Sequence, residues 1–129
     1  MDNKDHKKVF VIEDEPIFRK MLSEELGREG FFTLESGDGA DAIKVALEEK
    51  PGAILLDLML PVVSGVEVLK KIRAEGEWGR LLPIIIFTNL DLDDPFLREI
   101  IKNQPSYYLM KKDSKISDVV SKVKECFKD

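Results

Sequence analysis

The sequence predicts an α/β domain, a parallel sheet covered on both faces by helices. Three observations carry this. Val9-Phe10-Val11-Ile12 and Ala53-Ile54-Leu55-Leu56 are unbroken apolar runs of the kind found in strands buried on both faces. Segments of strand-like and helix-like periodicity alternate along the whole chain, the pattern of repeated βα units. Both apolar runs end in acids, Glu13-Asp14-Glu15 and Asp57. Open α/β sheets place their ligands at this carboxyl edge of the strands.

The elements follow in order. The first strand spans about Lys8 to Ile12. Pro16 suits the first turn of a helix, and Phe18, Met21, Leu22 and Leu26 supply an apolar stripe at helical spacing. Gly27 and Gly30 end that helix. Phe31 to Glu35 is a second, more exposed strand. Ser36-Gly37-Asp38-Gly39 turns the chain into a helix whose inner face is Ala42, Ile43, Ala46 and Leu47, and Pro51-Gly52 stops it. The third strand is Ala53 to Asp57, followed by a loop from Pro61 to Gly65. Val66, Leu69 and Ile72 face inward from the third helix, which ends at Glu75-Gly76. Trp78 reads as a loop residue with a packed ring.

Pro83 to Thr88 is the fourth strand. Asp91, Asp93 and Asp94 form a loop and helix cap, with Pro95 at the first helical position. Leu97, Ile100 and Ile101 are the inner face of the fourth helix, which Pro105 prevents from continuing. Tyr107 to Lys111 is the fifth strand. The last helix runs from about Lys115 to Phe127, with Ile116, Val119, Val120, Val123 and Phe127 inside. These apolar stripes are read as core and not as cofactor sites.

Composition narrows the function. The chain has 129 residues, the size of one domain, and a net charge of −5, which argues against general nucleic-acid binding. The basic run Lys4 to Lys8 is a solvated tail. Cys126 is the only cysteine, so no intrachain disulfide forms, and His6 in the tail offers it no partner. No stretch is long and apolar enough to span a bilayer, and no apolar signal-peptide core precedes the first strand. A single cytoplasmic domain, with its core at about residues 8–127, is expected.

The polar residues at the strand ends carry the chemistry. Glu13 and Asp14, Asp57, Thr88 and Lys111 fall on one edge if the sheet is parallel. Three clustered carboxylates repel, and a hard divalent cation such as Mg²⁺ together with Lys111 would neutralise them. Asp57 is then placed to attack a phosphoryl group as a carboxylate nucleophile. The cation and Lys111 would offset charge on the phosphoryl oxygens, and the Thr88 hydroxyl would donate a hydrogen bond.

From Lys8 to Phe127 the chain resembles the receiver domain of two-component response regulators. The resemblance rests on Val9 to Glu15, Leu55 to Pro61, Ser64-Gly65, Ile85 to Thr88 and Tyr108 to Lys111, in that order and spacing. It implies a flavodoxin-like fold with strand order 2-1-3-4-5. Asp57 would accept a phosphoryl group from a histidine kinase or phosphotransfer protein. Asp14, Asp57 and the backbone carbonyl of Met59 would bind Mg²⁺, with Glu13 acting through a water. Lys111 would pair with the phosphoryl group. Thr88 and Tyr108 would form a switch, Thr88 moving toward the phosphate and Tyr108 rotating inward behind it. The output would be a changed surface of the fourth helix, fifth strand and last helix, read by a downstream protein partner or effector domain. Neither DNA nor membrane is contacted directly.

Three departures from the family pattern matter. Proline, often with a cis peptide, usually follows the lysine, but Lys112 stands there, so a trans bond and an altered loop are expected. Asn89 replaces the usual Ala or Gly after the threonine, where it would narrow access to Asp57 or contact the phosphate. Met59 and Leu90 flank the path of hydrolytic water and offer it no hydrogen bond, which predicts slow self-dephosphorylation. The competing enzyme reading is an aspartyl-nucleophile phosphohydrolase of the haloacid dehalogenase type. That chemistry needs a second acid two residues after Asp57, and Met59 cannot donate a proton. A flavin carrier is disfavoured because Glu13-Asp14-Glu15 would repel the cofactor phosphate.

Overall fold

Five parallel strands form one sheet in the order β2-β1-β3-β4-β5. The structure is a computed structural model that describes residues 7–90 and 97–128. The strands are β1 (Lys8–Ile12), β2 (Phe32–Ser36), β3 (Ala53–Leu56), β4 (Ile84–Thr88) and β5 (Tyr107–Met110). The helices are α1 (Pro16–Arg28), α2 (Gly39–Glu49), α3 (Gly65–Arg73), α4 (Gly76–Leu81), α5 (Leu97–Lys102) and α6 (Ile116–Cys126). A 3₁₀ turn covers Lys111–Asp113. The flavodoxin-like order expected from the sequence is therefore present.

Strand alternation sends successive side chains to opposite faces. Phe10, Ile12, Ile54, Leu56, Ile84 and Ile86 pack on one side with Ala42, Ala46, Val68, Leu69, Ile72 and Ile100. Val9, Val11, Leu55, Ile85 and Phe87 pack on the other with Leu22, Leu26, Val119, Val120 and Val123. Unbroken apolar strands are thus explained by a core on each face. Among the described residues, no helix is long and apolar enough to cross a membrane.

The structure corrects several sequence expectations. Met21 is 44% exposed, and Ser23 takes the inner position on α1 because its hydroxyl pairs with Thr33 of β2 at 2.7 Å. On α3 the inner line includes Val68, which the sequence reading omitted, while Val66 is only half-buried. Ile101 is 63% exposed although Ile100 beside it is fully buried. β2 starts and ends one residue later than expected, set by its ladder from Lys8↔Phe32 to Ile12↔Ser36. The cap expected at Asp91, Asp93, Asp94 and Pro95 lies outside the described residues, as does the side chain of Leu97.

Helix α4 was not anticipated, and Trp78 sits on it and not in a loop. Gly76 takes the left-handed φ of 62° that interrupts α3 and lets a new helix begin. The Trp78 ring does pack on the core, and its indole N–H donates to the Pro51 carbonyl at 3.4 Å. Arg73 holds this corner together. Its half-buried guanidinium donates to the carbonyls of Gly79, Leu82, Asn103 and Gln104 at 2.6–3.1 Å. One side chain thereby joins the ends of α3, α4 and α5.

Candidate functional site

The site lies where β1, β3, β4 and β5 end. Leaving β1, the Glu13 N–H donates to the Ser36 carbonyl at 3.0 Å, so the chain stays paired with β2 for one residue beyond the strand. The Arg19 guanidinium donates to the Glu13 carbonyl at 2.8 Å and to the Glu35 carboxylate at 3.3 Å. Glu15 caps α1 by accepting from the N–H groups of Ile17 and Phe18, and Pro16 occupies the first helical position. These bonds fix where Glu13 and Asp14 stand.

Asp57 is placed as firmly. Its N–H donates to the Ile12 carbonyl at 3.0 Å, extending the β1–β3 ladder. After it the chain turns sharply and Gly65 returns against it, its N–H donating to the Leu58 carbonyl. A Cβ at position 65 would lie 2.3 Å from the Asp57 carbonyl oxygen and 2.4 Å from the Leu58 Cα, so only glycine fits.

The carboxylate of Asp57 is 5% exposed and receives donors from three segments. Its Oδ1 accepts from the Met59 N–H at 3.0 Å and the Thr88 hydroxyl at 2.7 Å. Its Oδ2 accepts from Lys111 Nζ at 2.9 Å. Lys111 Nζ also donates to Glu13 Oε1, and it lies 5.0 Å from the centroid of the Phe18 ring. Burial raises the Glu13 carboxyl above its ordinary pKa, against the opposing pull of Lys111. Burial alone would lower the Lys111 pKa, but its bonds to Glu13 and Asp57 outweigh that and hold it above the usual lysine value.

The sequence-predicted acids do converge. Carboxylate oxygens of Glu13, Asp14 and Asp57 lie within 4.8 Å of one another. Asp14 is exposed and has no hydrogen-bond partner among the described residues. One ammonium does not balance three carboxylates, and all the donors are hard oxygens. This set fits a small divalent cation, with Asp14 open to receive it.

Thr88 is fully buried and Tyr108 half-buried. Together they hold the backbone of Leu90. Thr88 Oγ1 accepts from its N–H at 3.3 Å, and the Tyr108 hydroxyl donates to its carbonyl at 3.1 Å. Lys111 begins the 3₁₀ turn and does not end β5, and no described peptide bond is cis, in line with the trans Lys111–Lys112 expectation. Asn89 is engaged with β5's continuation, its Oδ1 accepting from the Lys112 N–H at 3.2 Å. Sequence reading gave Phe18 and Arg19 no part in the site. Their only signal was position, on the first turn of the helix that follows Glu13-Asp14.

With this geometry in place the chain can be compared with known proteins. The model of the response regulator receiver domain matches residues 9–124. The chain belongs to that family. It is 40% identical over 83 residues to the probable transcriptional regulatory protein TcrX of Mycobacterium tuberculosis, covering 64% of this chain and 34% of that protein. It is 28% identical over 87 residues to sporulation initiation phosphotransferase F of Bacillus subtilis, covering 67% of this chain and 70% of that protein. The chain thus spans about a third of the length of the transcriptional regulators it matches. Among solved structures it superposes on the receiver domain of the sensor histidine kinase PA1611 of Pseudomonas aeruginosa PAO1 with a TM-score of 0.82 and 26% identity, over 94% of this chain and 97% of that one. That structure holds a magnesium ion coordinated in its active site cleft. The phosphohydrolase alternative gains no support: the relatives are signalling proteins, and Met59 occupies the place of the second acid.

One backbone feature of the loop after Asp57 generates a prediction. Val62 has φ of 69° at the centre of a tight turn closed by the Val63 N–H on the Pro61 carbonyl at 2.8 Å. A β-branched residue is strained there by about 1–3 kcal/mol, and its side chain is 82% exposed, so little packing offsets the strain. Val62→Gly should therefore raise stability to urea by about 1 kcal/mol after the entropic cost of glycine. A lower denaturation midpoint would contradict this.

Proposed function

We propose that Asp57 is the phosphoacceptor of a signalling switch. A histidine kinase or phosphotransfer protein supplies the phosphoryl group. One carboxylate oxygen of Asp57 attacks phosphorus, the bond from phosphorus to the donor's imidazole nitrogen breaks, and the electron pair leaves with that nitrogen. Asp57 becomes an acyl phosphate. The observation that supports this best is the set of three donors converging on one buried carboxylate from Met59, Thr88 and Lys111.

Each group has a distinct task. Lys111 carries a fixed positive charge to the phosphoryl oxygens, and its partners keep it protonated. The Thr88 hydroxyl, which donates to Asp57, would donate to an oxygen of the phosphoryl group carried there. Asp14, Asp57 and the Met59 carbonyl are the candidate ligands of a Mg²⁺ ion, with Glu13 acting through water. When bound, that ion offsets negative charge on the transferred group. The chain's own chemistry is limited to taking up and losing this group, and it serves the switch.

Thr88 and Tyr108 are the proposed switch pair. Both already grip the Leu90 backbone, so a change in what the Thr88 hydroxyl bonds is passed to that segment and to Tyr108. The affected surface is α5, β5 and α6, which a downstream protein or effector domain would read. This reading places the chain in the cytoplasm, where the phosphoryl donor is made.

Incubation with acetyl phosphate and Mg²⁺, followed by intact-mass measurement, tests the central step. Wild type should gain the mass of one phosphoryl group and Asp57→Ala should gain none. Equal uptake by both would refute the assignment. Loss of the group should also be slow. Met59 is 56% exposed and Leu90 half-buried, and neither side chain can orient a water. Met59→Asn or Leu90→Glu should shorten the lifetime of the phosphorylated protein several-fold, and unchanged decay in both would remove this explanation.

A further inference from the structure

Lys111 reaches Asp57 from an unfavourable place. β5 is an edge strand, paired only with β4, and the ladder between them closes at Thr88↔Met110. The next residue on β5's side is Lys111, whose side chain spans the distance to Asp57 and Glu13. A strand end that is held on one side and has just left its ladder is free to fray. Something must steady the backbone from which Lys111 extends.

The 3₁₀ turn at Lys111–Asp113 raises the same need. The first N–H groups of any helical turn lack partners within it. Met110 stands at the cap position and gives the turn no side-chain acceptor. The acceptor comes from the neighbouring segment: Asn89 Oδ1 receives the Lys112 N–H at 3.2 Å. Asn89 directly follows Thr88, and Lys112 directly follows Lys111. The bond therefore acts as one more rung beyond the last backbone rung of the β4–β5 ladder. It joins the two residues that sit next to the two side-chain donors on Asp57.

Two of the residues that depart from the family pattern, Asn89 and Lys112, are thus partners. Proline at 112 would have no N–H to give, and Ala or Gly at 89 would have no side-chain oxygen to receive it. Each residue makes sense only with the other. We infer that Asn89 is a positioning residue for phosphoryl uptake: its amide oxygen, through the Lys112 N–H, holds the turn that aims Lys111 at Asp57, in place of the stiffness a proline ring would give.

Through this bond, three consecutive residues from the end of β4 each engage a different part of the site. Thr88 bonds Asp57, Asn89 bonds the Lys111–Asp113 turn, and Leu90 receives Tyr108. Movement of Thr88 and movement of Lys111 are consequently not independent. Asn89 couples the hydroxyl and ammonium donors of the site.

This inference rests on the phosphoacceptor reading of Asp57, and the test separates the two. Amide hydrogen exchange on the unphosphorylated protein reads the bond itself. Asn89→Ala should speed exchange at Lys112 about three- to tenfold, the weight of one such bond, and Asn89→Asp, which keeps an oxygen acceptor, should retain the protection. Uptake from acetyl phosphate with Mg²⁺ reads the consequence. In Asn89→Ala the saturating rate should fall about three- to tenfold while the half-saturating donor concentration stays unchanged. In a Lys112→Pro background, where the donor N–H is gone, Asn89→Ala should change nothing further. Unaltered Lys112 exchange, an unaltered rate, or an equal loss in the Lys112→Pro background would each overturn the role of Asn89. A wild-type protein that takes up no phosphoryl group would instead overturn the reading of Asp57.

Discussion

The site depends on one bridging ammonium. Lys111 extends from the end of an edge strand and donates to both Asp57 and Glu13, whose strands lie in the middle of the sheet. Without it, two buried carboxylates would face each other with no positive charge between them. Burial of unpaired like charges is among the costlier arrangements a protein can hold. With it, both acids have a charged partner at a place where little solvent reaches them. The remaining negative charge, including exposed Asp14, is what makes the cluster suited to a hard cation.

The sheet supplies the constraint that brings these groups together. Glu13, Asp14, Asp57, Thr88 and Lys111 each lie within two positions of a strand end. Parallel strands put all those ends on one edge, and backbone bonds just past the strands, Glu13 to Ser36 and Asp57 to Ile12, keep the acids in register. The loop after Asp57 is held by the close return of Gly65 and by the strained turn at Val62. Rigid strands and an over-determined loop leave few ways for Asp57 to move. Past the end of β4 the chain is held instead by side chains: Leu90 by Thr88 and Tyr108, and Asn89 by its bond to the Lys112 N–H.

The architecture and the acid cluster were legible in the sequence because they rest on strong local patterns. Ala53-Ile54-Leu55-Leu56 has no polar residue to suggest an exposed face, and its buried side chains on both faces agree. What escaped sequence reading depends on tertiary partners. Helix α4 starts on a glycine that reads as a stop, and its end is held by Arg73 through the carbonyls of Gly79 and Leu82. Met21 and Ser23 exchange their expected places because a serine is tolerated inside when Thr33 meets it. Ile100 and Ile101 are equally apolar neighbours, and only the packing of the folded chain shows that Ile100 is buried while Ile101 is exposed. Asn89 and Lys112 each looked like an isolated departure, and only the folded chain brings them together.

The central claim is that the acids at 13, 14 and 57 form one cation-binding centre around the reach of Lys111. Titration of the protein with Mg²⁺, followed residue by residue through backbone amide NMR, addresses it most directly. The account predicts saturable shifts concentrated at residues 13–15, 57–59 and 111–112, and their loss in Asp14→Ala. Shifts that do not saturate, that lie elsewhere, or that persist undiminished in Asp14→Ala would contradict it.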